Sequence, residues 1–211
     1  MKTITLLLLA ISHFSVSAVG YRVTIESNWS VAEHFGLPNN GHFSPVVAVA
    51  HNGNYNLLPI GQKSSKGLES VAELGRTTGI LGEVNKARTS GFVDAVVETK
   101  NQFVLRQDVQ TFEVNITAKH PYLSFVSMIA PSPDWIIGMS ALRLHTKGLG
   151  FSEGIEARAL YALDAGTEDG DRAGNFSINN NATLPQGVIT HLTGDGFNSR
   201  FATVTIERIH K

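Results

Sequence analysis

Carboxylates offer the most chemistry in this chain, and they gather in its second half. Asp134 stands in "APSPDWIIGMS", residues 130–140, between a proline-stiffened turn and an almost wholly apolar run. Asp164 closes "ARALYALD", and the following "DAGTEDGDRAGN" adds Glu168, Asp169 and Asp171. If the run after Asp134 and the "ARALYALD" run pair as antiparallel neighbours, the start of the first lies beside the end of the second. Asp134 and Asp164 would then hang over the same sheet edge. Several carboxylates at one edge repel one another unless protons, cations or solvent intervene. Oxygen-rich loops suit calcium, which takes about six to eight oxygens, better than magnesium with its stricter octahedron and retained waters. Gly166 and Gly170 let the backbone turn tightly there. An EF-hand alignment begun at Asp169 fails, because Ala173 and Asn180 fall where the fifth-position and bidentate ligands belong. Spacing alone leaves two readings open, a metal site and a solvated acidic loop.

The elements that must carry these side chains are strands. "YRVTIES" sets Tyr21, Val23 and Ile25 against Arg22, Thr24 and Glu26, and "TFEVNITA" sets Phe112, Val114, Ile116 and Ala118 against Glu113, Asn115 and Thr117. "TVTIERI" near the end repeats the pattern. "PVVAVAH", "YLSFVSMIA" and "WIIGMSALRL" are continuously apolar, as strands covered on both faces should be. Leu68, Val71, Ala72 and Gly75 recur at helical spacing, and "ILGEVNKA" extends that region after a Thr77-Thr78-Gly79 break. Short strands punctuated by Gly- and Asn-rich turns predict an all-β, antiparallel sandwich with a short helical insert. The amphipathic helix packs its apolar stripe on the sandwich.

Composition narrows the partners. The 211 residues include 17 Lys and Arg against 18 Asp and Glu, so no basic face is on offer to nucleic acid. Cysteine is absent, which removes thiolate metal sites and cysteine nucleophiles and tilts the reading toward a bacterial exported protein. "MKTITLLLLAISHFSVSA" has a basic start, a short apolar core and small residues at Val16-Ser17-Ala18. Residues 1–18 are therefore expected to be a cleaved signal peptide, with one domain over 19–211 and a secreted or periplasmic location. No later stretch reaches the roughly 20 apolar residues of a membrane span. The acidic balance offers little to an anionic lipid surface.

Three stretches together resemble a known family. "HFSPVVAVAHNGNYNLLPIGQKSSKGLESVAELG", "SMIAPSPDWIIGMSALRL" and "LDAGTEDG" occur in the order and spacing of the spondin N-terminal domain. The resemblance covers essentially all of the chain after the leader. It implies an eight-stranded, C2-like sandwich with calcium held by loops at one end. It also implies the ligands: Asp134 from the Ser-Pro-Asp-Trp motif, Asp164 from the Asp-Ala-Gly-Thr motif, and an acidic residue four further on. That third position is usually Asp in the family and is Glu168 here, with Asp169 next to it as an alternative donor. The expected function is a calcium-binding adhesion or matrix-type module whose partner is an extracellular protein or glycan. The alternative is an exported metal-assisted hydrolase or lyase on the same carboxylate edge.

Other chemistry is weaker. Ser44, His42, His51 and Asp134 could be drawn as a hydrolase triad, but "GMSAL" lacks the last glycine of a nucleophile elbow and Ser44 opens a strand before Pro45. His34, His42 and His51 match no compact zinc spacing. Trp135 is expected in the core, pinning the Asp134 turn. The four Asn-x-Ser/Thr triplets carry no meaning in a bacterial host, and "NIT" falls inside a predicted strand. No catalytic residue is therefore assigned.

Overall fold

The structure, a computed structural model, describes residues 17–100, 103–104, 108–170, 174–178 and 181–210. In chain order its elements are β1 (Ala18–Ser27), α1 (Val31–His34), β2 (His42–Phe43), β3 (Val47–His51), α2 (Lys66–Leu74), α3 (Thr78–Thr89) and β4 (Val93–Glu98). Then come β5 (Phe103–Val104), β6 (Val109–Thr117), β7 (Tyr122–Ala130), β8 (Trp135–Arg143), β9 (His145–Thr146) and β10 (Gly150–Phe151). The last are β11 (Gly154–Leu160), β12 (Leu163–Asp164), β13 (Thr190–His191) and β14 (Ala202–Arg208).

Among the described residues, eight strands have five residues or more, and these eight build two antiparallel layers. The first layer runs β11-β14-β1-β6. The second runs β8-β7-β3-β4, with the short strands β2, β5, β12 and β13 added at its margins, while β9 and β10 pair as a separate two-stranded ribbon. The expected eight-stranded sandwich with a helical insert is therefore what forms.

Alternation decides the first layer. Tyr21, Val23 and Ile25 of β1 are fully buried, as are Phe112, Val114 and Ile116 of β6 and Val204 and Ile206 of β14, apart from a few per cent. They face Ala48, Ala50, Leu123, Phe125, Trp135 and Ile137 from the second layer in one core. The partner face of that second layer is also covered. Val47, Val49, Val126 and Ile136 point the other way and meet Leu68, Val71 and Ala72 of α2 and Ile80 and Val84 of α3. This double cover explains why β3 reads as a continuous apolar run.

The two ends of α2 are both fixed by its caps. Ser65 caps α2 by accepting from the Leu68 amide at 3.1 Å, and Gly75 ends it in the left-handed conformation at φ 63°. The predicted continuation after the Thr77 break is α3. One expectation fails in detail: "ARALYALD" is not one strand. Its first part, β11, joins β14 in the first layer, and the chain then crosses to the second layer, where Leu163 and Asp164 pair with Ile136 and Trp135. The run looks continuous because both halves bury apolar residues, each in its own sheet. Ala118 also lies beyond the end of β6 and is exposed rather than inward.

Candidate functional site

Asp134 and Asp164 become neighbours through this crossing. Asp164 sits opposite Trp135 in the register, so the residue before Trp135 and the residue ending β12 share one edge of the second layer. The inference from strand order holds, but over two residue pairs rather than a whole strand.

The turn that presents Asp134 is tied at both ends. The Trp135 amide donates to Ser132 Oγ at 3.0 Å, and the Trp135 ring is fully buried with Phe197 and Phe176 packed edge-on at 4.9 and 5.7 Å. Trp135 is thus the core residue expected of it. Asp134 itself is completely buried. Its Oδ2 accepts from the Thr167 amide at 2.7 Å, the Glu168 amide at 3.1 Å and the Thr167 hydroxyl at 3.2 Å. A buried carboxylate is tolerable there because charge-assisted bonds from amides replace its water.

The segment after Asp164 is clamped rather than solvated. Asp164 Oδ1 accepts from the Gly166 amide, an Asx turn, and Ala165 donates to the Asp134 carbonyl at 3.2 Å. Beyond it, Thr183 and Gly187 donate to the carbonyls of Thr167 and Gly166 at 3.0 and 2.9 Å, and Asp169 donates to Asn181 at 3.0 Å. Ser64 Oγ holds the Ala165 carbonyl at 2.8 Å from the α2 side. The result buries Glu168 to 7% exposure, half-buries Asp164 and leaves Asp169 exposed. Asp171, Ala173 and Asn180 lie outside the described residues.

Electrostatics identifies two further members that the sequence did not single out, Glu69 and Glu73 on α2. Burial pushes the Glu168 carboxyl up from its ordinary value, and the charges of Glu73, Asp134, Asp169 and Glu69 push it further. Burial likewise raises Glu73, against a hydrogen bond from Thr167 that lowers it, with Glu69 and Asp134 adding to the rise. Glu69 and Glu73 are one helical turn apart on the face of α2 that is not packed on the sheet. Helical periodicity marks that face as solvent-facing. Only the tertiary placement of the Thr167 loop turns it into part of an acidic cluster.

The donor set can be tested against a cation. Every candidate donor is a carboxylate, carbonyl or hydroxyl oxygen, which suits a hard divalent ion. Glu168 Oε2 is buried with no hydrogen-bond partner among the described residues. An uncompensated acidic oxygen among like charges is what a cation would relieve. Against this, one oxygen of Asp134 is committed to three protein donors, and among the described residues no three His, Asp or Glu side chains are gathered in chelating positions. The residues fit calcium by charge and donor type, with Asp134 also acting as the cap of the loop.

The other candidates are used locally. Ser44 Oγ accepts from the Met128 amide at 2.9 Å, His42 Nδ1 meets the Asn40 carbonyl at 2.7 Å, and His34 Nδ1 meets Ser30. His51 bonds the Asn52 carbonyl and Ser124 Oγ, both at 2.8 Å. Ser44, His42, His51 and Asp134 thus each have partners other than one another. Among the described residues no helix is long and apolar enough to cross a membrane.

A two-layer antiparallel sandwich, with a helical pair on one face and carboxylates buried under clamped loops at one sheet edge, defines a β-sandwich module of the spondin type. The profile of the Spondin_N family matches residues 19–205, and the chain belongs to that family. It is similar to spondin-1 of Mus musculus, 32% identical over 90% of this chain and 25% of the relative. Spondin-1 of Gallus gallus is 33% identical over 82% of this chain and 22% of the relative. Spondin-2 of Homo sapiens is 30% identical over 82% of this chain and 52% of its own length. The chain thus spans about a quarter of the spondin-1 relatives and about half of spondin-2.

Proposed function

We propose that this chain is an exported binding module of the spondin type, secreted or periplasmic, whose loop edge is ordered by calcium and whose role is recognition rather than catalysis. The supporting observation is Glu168, an acidic side chain 7% exposed, with one oxygen unpartnered among the described residues and like charges around it. Asp134, Asp164 and Glu168 would hold the ion, with Asp169 adjacent. Bound calcium would supply positive charge that offsets carboxylate repulsion. The chain's own residues do the rest: Asp134 gathers the Thr167 and Glu168 amides, and the Thr183 and Gly187 amides hold the loop from the other side. The partner would be an extracellular protein or glycan met at this end of the sandwich.

Thermal unfolding of the full chain tests this reading, with calcium against chelator. For a Kd on the order of 10⁻⁴–10⁻³ M, usual for extracellular modules, about 10 mM calcium stabilises the native state by about 1.4–2.7 kcal/mol. That corresponds to a rise in Tm of about 3–11 °C for a domain of this size. An unchanged Tm would show that calcium does not bind the folded chain in this range.

A further inference from the structure

A second site lies in the other layer, where the chain prepares to cross between sheets. A cleft of about 500 Å³ is lined by Asn28, Ser30, Glu33, Tyr161, Ser199 and Arg200. That volume falls within the range of about 300–1,000 Å³ common to small-molecule sites. Its walls are fixed by backbone pairing: Asn28 donates to the Phe201 carbonyl and Phe201 to the Leu160 carbonyl, both at 2.9 Å. Beneath it His34 packs against the Phe201 ring at 4.1 Å. These backbone bonds hold the frame, and polar side chains line the cleft.

Tyr161 is the anomaly. Its neighbours Leu160, Ala162 and Leu163 are 4%, 0% and 2% exposed, whereas Tyr161 is 43% exposed. The buried residues on both sides fix the backbone, so the Tyr161 ring stays partly exposed at the cleft, where its apolar face and its hydroxyl are both within reach of a ligand. Around it, the Tyr161 hydroxyl, the Ser199 hydroxyl, the Glu33 carboxylate and the Arg200 guanidinium make no side-chain hydrogen bond or ion pair among the described residues. Asn28 uses its carbonyl oxygen to accept from Thr203, which leaves the two amide hydrogens to donate. Ser30 Oγ accepts from the Glu33 amide at 3.3 Å and still has a hydrogen to give.

These groups select a ligand by exclusion. An anion such as phosphate or sulfate would meet the Glu33 carboxylate, and a cation would meet Arg200. A purely apolar ligand would strand six polar groups. A neutral ligand with many hydroxyls satisfies donors and acceptors of both kinds, and its C–H faces suit an exposed phenol ring. We propose that this cleft binds a neutral oligosaccharide, with Tyr161 as the stacking platform and Arg200, Glu33, Asn28, Ser30 and Ser199 as its hydrogen-bonding partners. The proposal rests on the binding-module reading in that it gives this role a ligand class, and it uses none of the proposed calcium ligands.

The test is titration of the full chain with cellobiose, lactose, mannobiose and N,N′-diacetylchitobiose, followed by saturation-transfer NMR and calorimetry, with calcium and with chelator. At least one of the four should bind with a Kd of about 10 mM or tighter. Tyr161→Ala should weaken that sugar by about tenfold or more, Tyr161→Phe by about threefold or less, and Arg200→Ala by an intermediate factor. Both residues are exposed, so melting curves of the variants should match the parent, and Arg200→Ala stands in should Tyr161→Ala fail to fold. The proposal is overturned if no sugar of the four binds. It is also overturned if binding survives both alanine variants, or if a sulfated disaccharide binds more tightly than its unsulfated counterpart. Sugar binding without a calcium-dependent Tm would sink the calcium reading and keep this one; a calcium response without sugar binding would do the reverse.

Discussion

Replacing Asp134 by Ala and, separately, by Asn distinguishes the two things its carboxylate does. Both substitutions remove a negative charge that faces Glu73 and Glu168, so both relieve the same repulsion. They differ in what they leave for the loop. Asn keeps a carbonyl oxygen that can still accept from the Thr167 and Glu168 amides, whereas Ala leaves two buried backbone donors without an acceptor. An unsatisfied buried donor costs about 1–3 kcal/mol, so the Ala variant should be less stable than the Asn variant by about 2–6 kcal/mol. For a domain of this size that is a Tm gap of at least about 4 °C. The assay is thermal unfolding by circular dichroism in chelator, so that no metal enters the comparison. Tm values for the two variants within about 1 °C of each other would refute the claim that Asp134 caps the 165–168 loop.

Two further predictions concern protons and charge. Glu168→Gln should raise Tm in chelator, because it removes a charge that burial and Glu73, Asp134 and Asp169 all disfavour, and it should shrink the calcium-induced rise; a lowered Tm in chelator together with an intact calcium response would contradict the cluster. His51 is held below its ordinary value chiefly by burial, so the neutral ring stabilises the fold above the unfolded value of about 6.5, and this contribution is lost as pH falls toward the folded value. His34 behaves alike, while Glu73 and Glu168, raised in the fold, contribute with the opposite sign at lower pH. The difference between parent and His51→Gln is therefore the useful quantity: between pH 7.5 and 5.5 the variant's unfolding free energy, read from denaturant titrations, should fall by less than the parent's, and parallel pH profiles would show that His51 does not titrate differently in the fold.

Much of this architecture was readable from side-chain periodicity. Tyr21-Val23-Ile25 and Phe112-Val114-Ile116 alternate because one face meets the core and one meets water, and that physical asymmetry is written in residue type. The continuous runs of β3 and β7 announced a layer covered on both sides. The adjacency of Asp134 and Asp164 followed from strand order. What could not be read is tertiary. The change of sheet between Leu160 and Leu163 leaves no mark, since both halves of "ARALYALD" bury apolar residues. Strands of two residues are too short to show a period. Glu69 and Glu73 look like an ordinary solvated helix face until the Thr167 loop is laid against them. The Tyr161 cleft is invisible for the same reason, as its lining comes from three separate segments.

The register of β1 has a consequence for how the chain reaches this fold. β1 is not an edge but an inner strand, with Tyr21 opposite Val114 on one side and opposite Arg208 on the other. Its first partner, β6, lies nearly a hundred residues downstream, and its second is the last strand described. β11 pairs in its layer with β14 alone. A chain that emerges N-terminus first must therefore carry β1 with open hydrogen-bonding edges through most of its length, and the first layer closes only when residues 202–208 arrive. Such distant pairing slows folding, because loop closure precedes the contacts that reward it. Truncation before β14 would leave two strands with unpaired edges and an uncovered core, a template for pairing between chains.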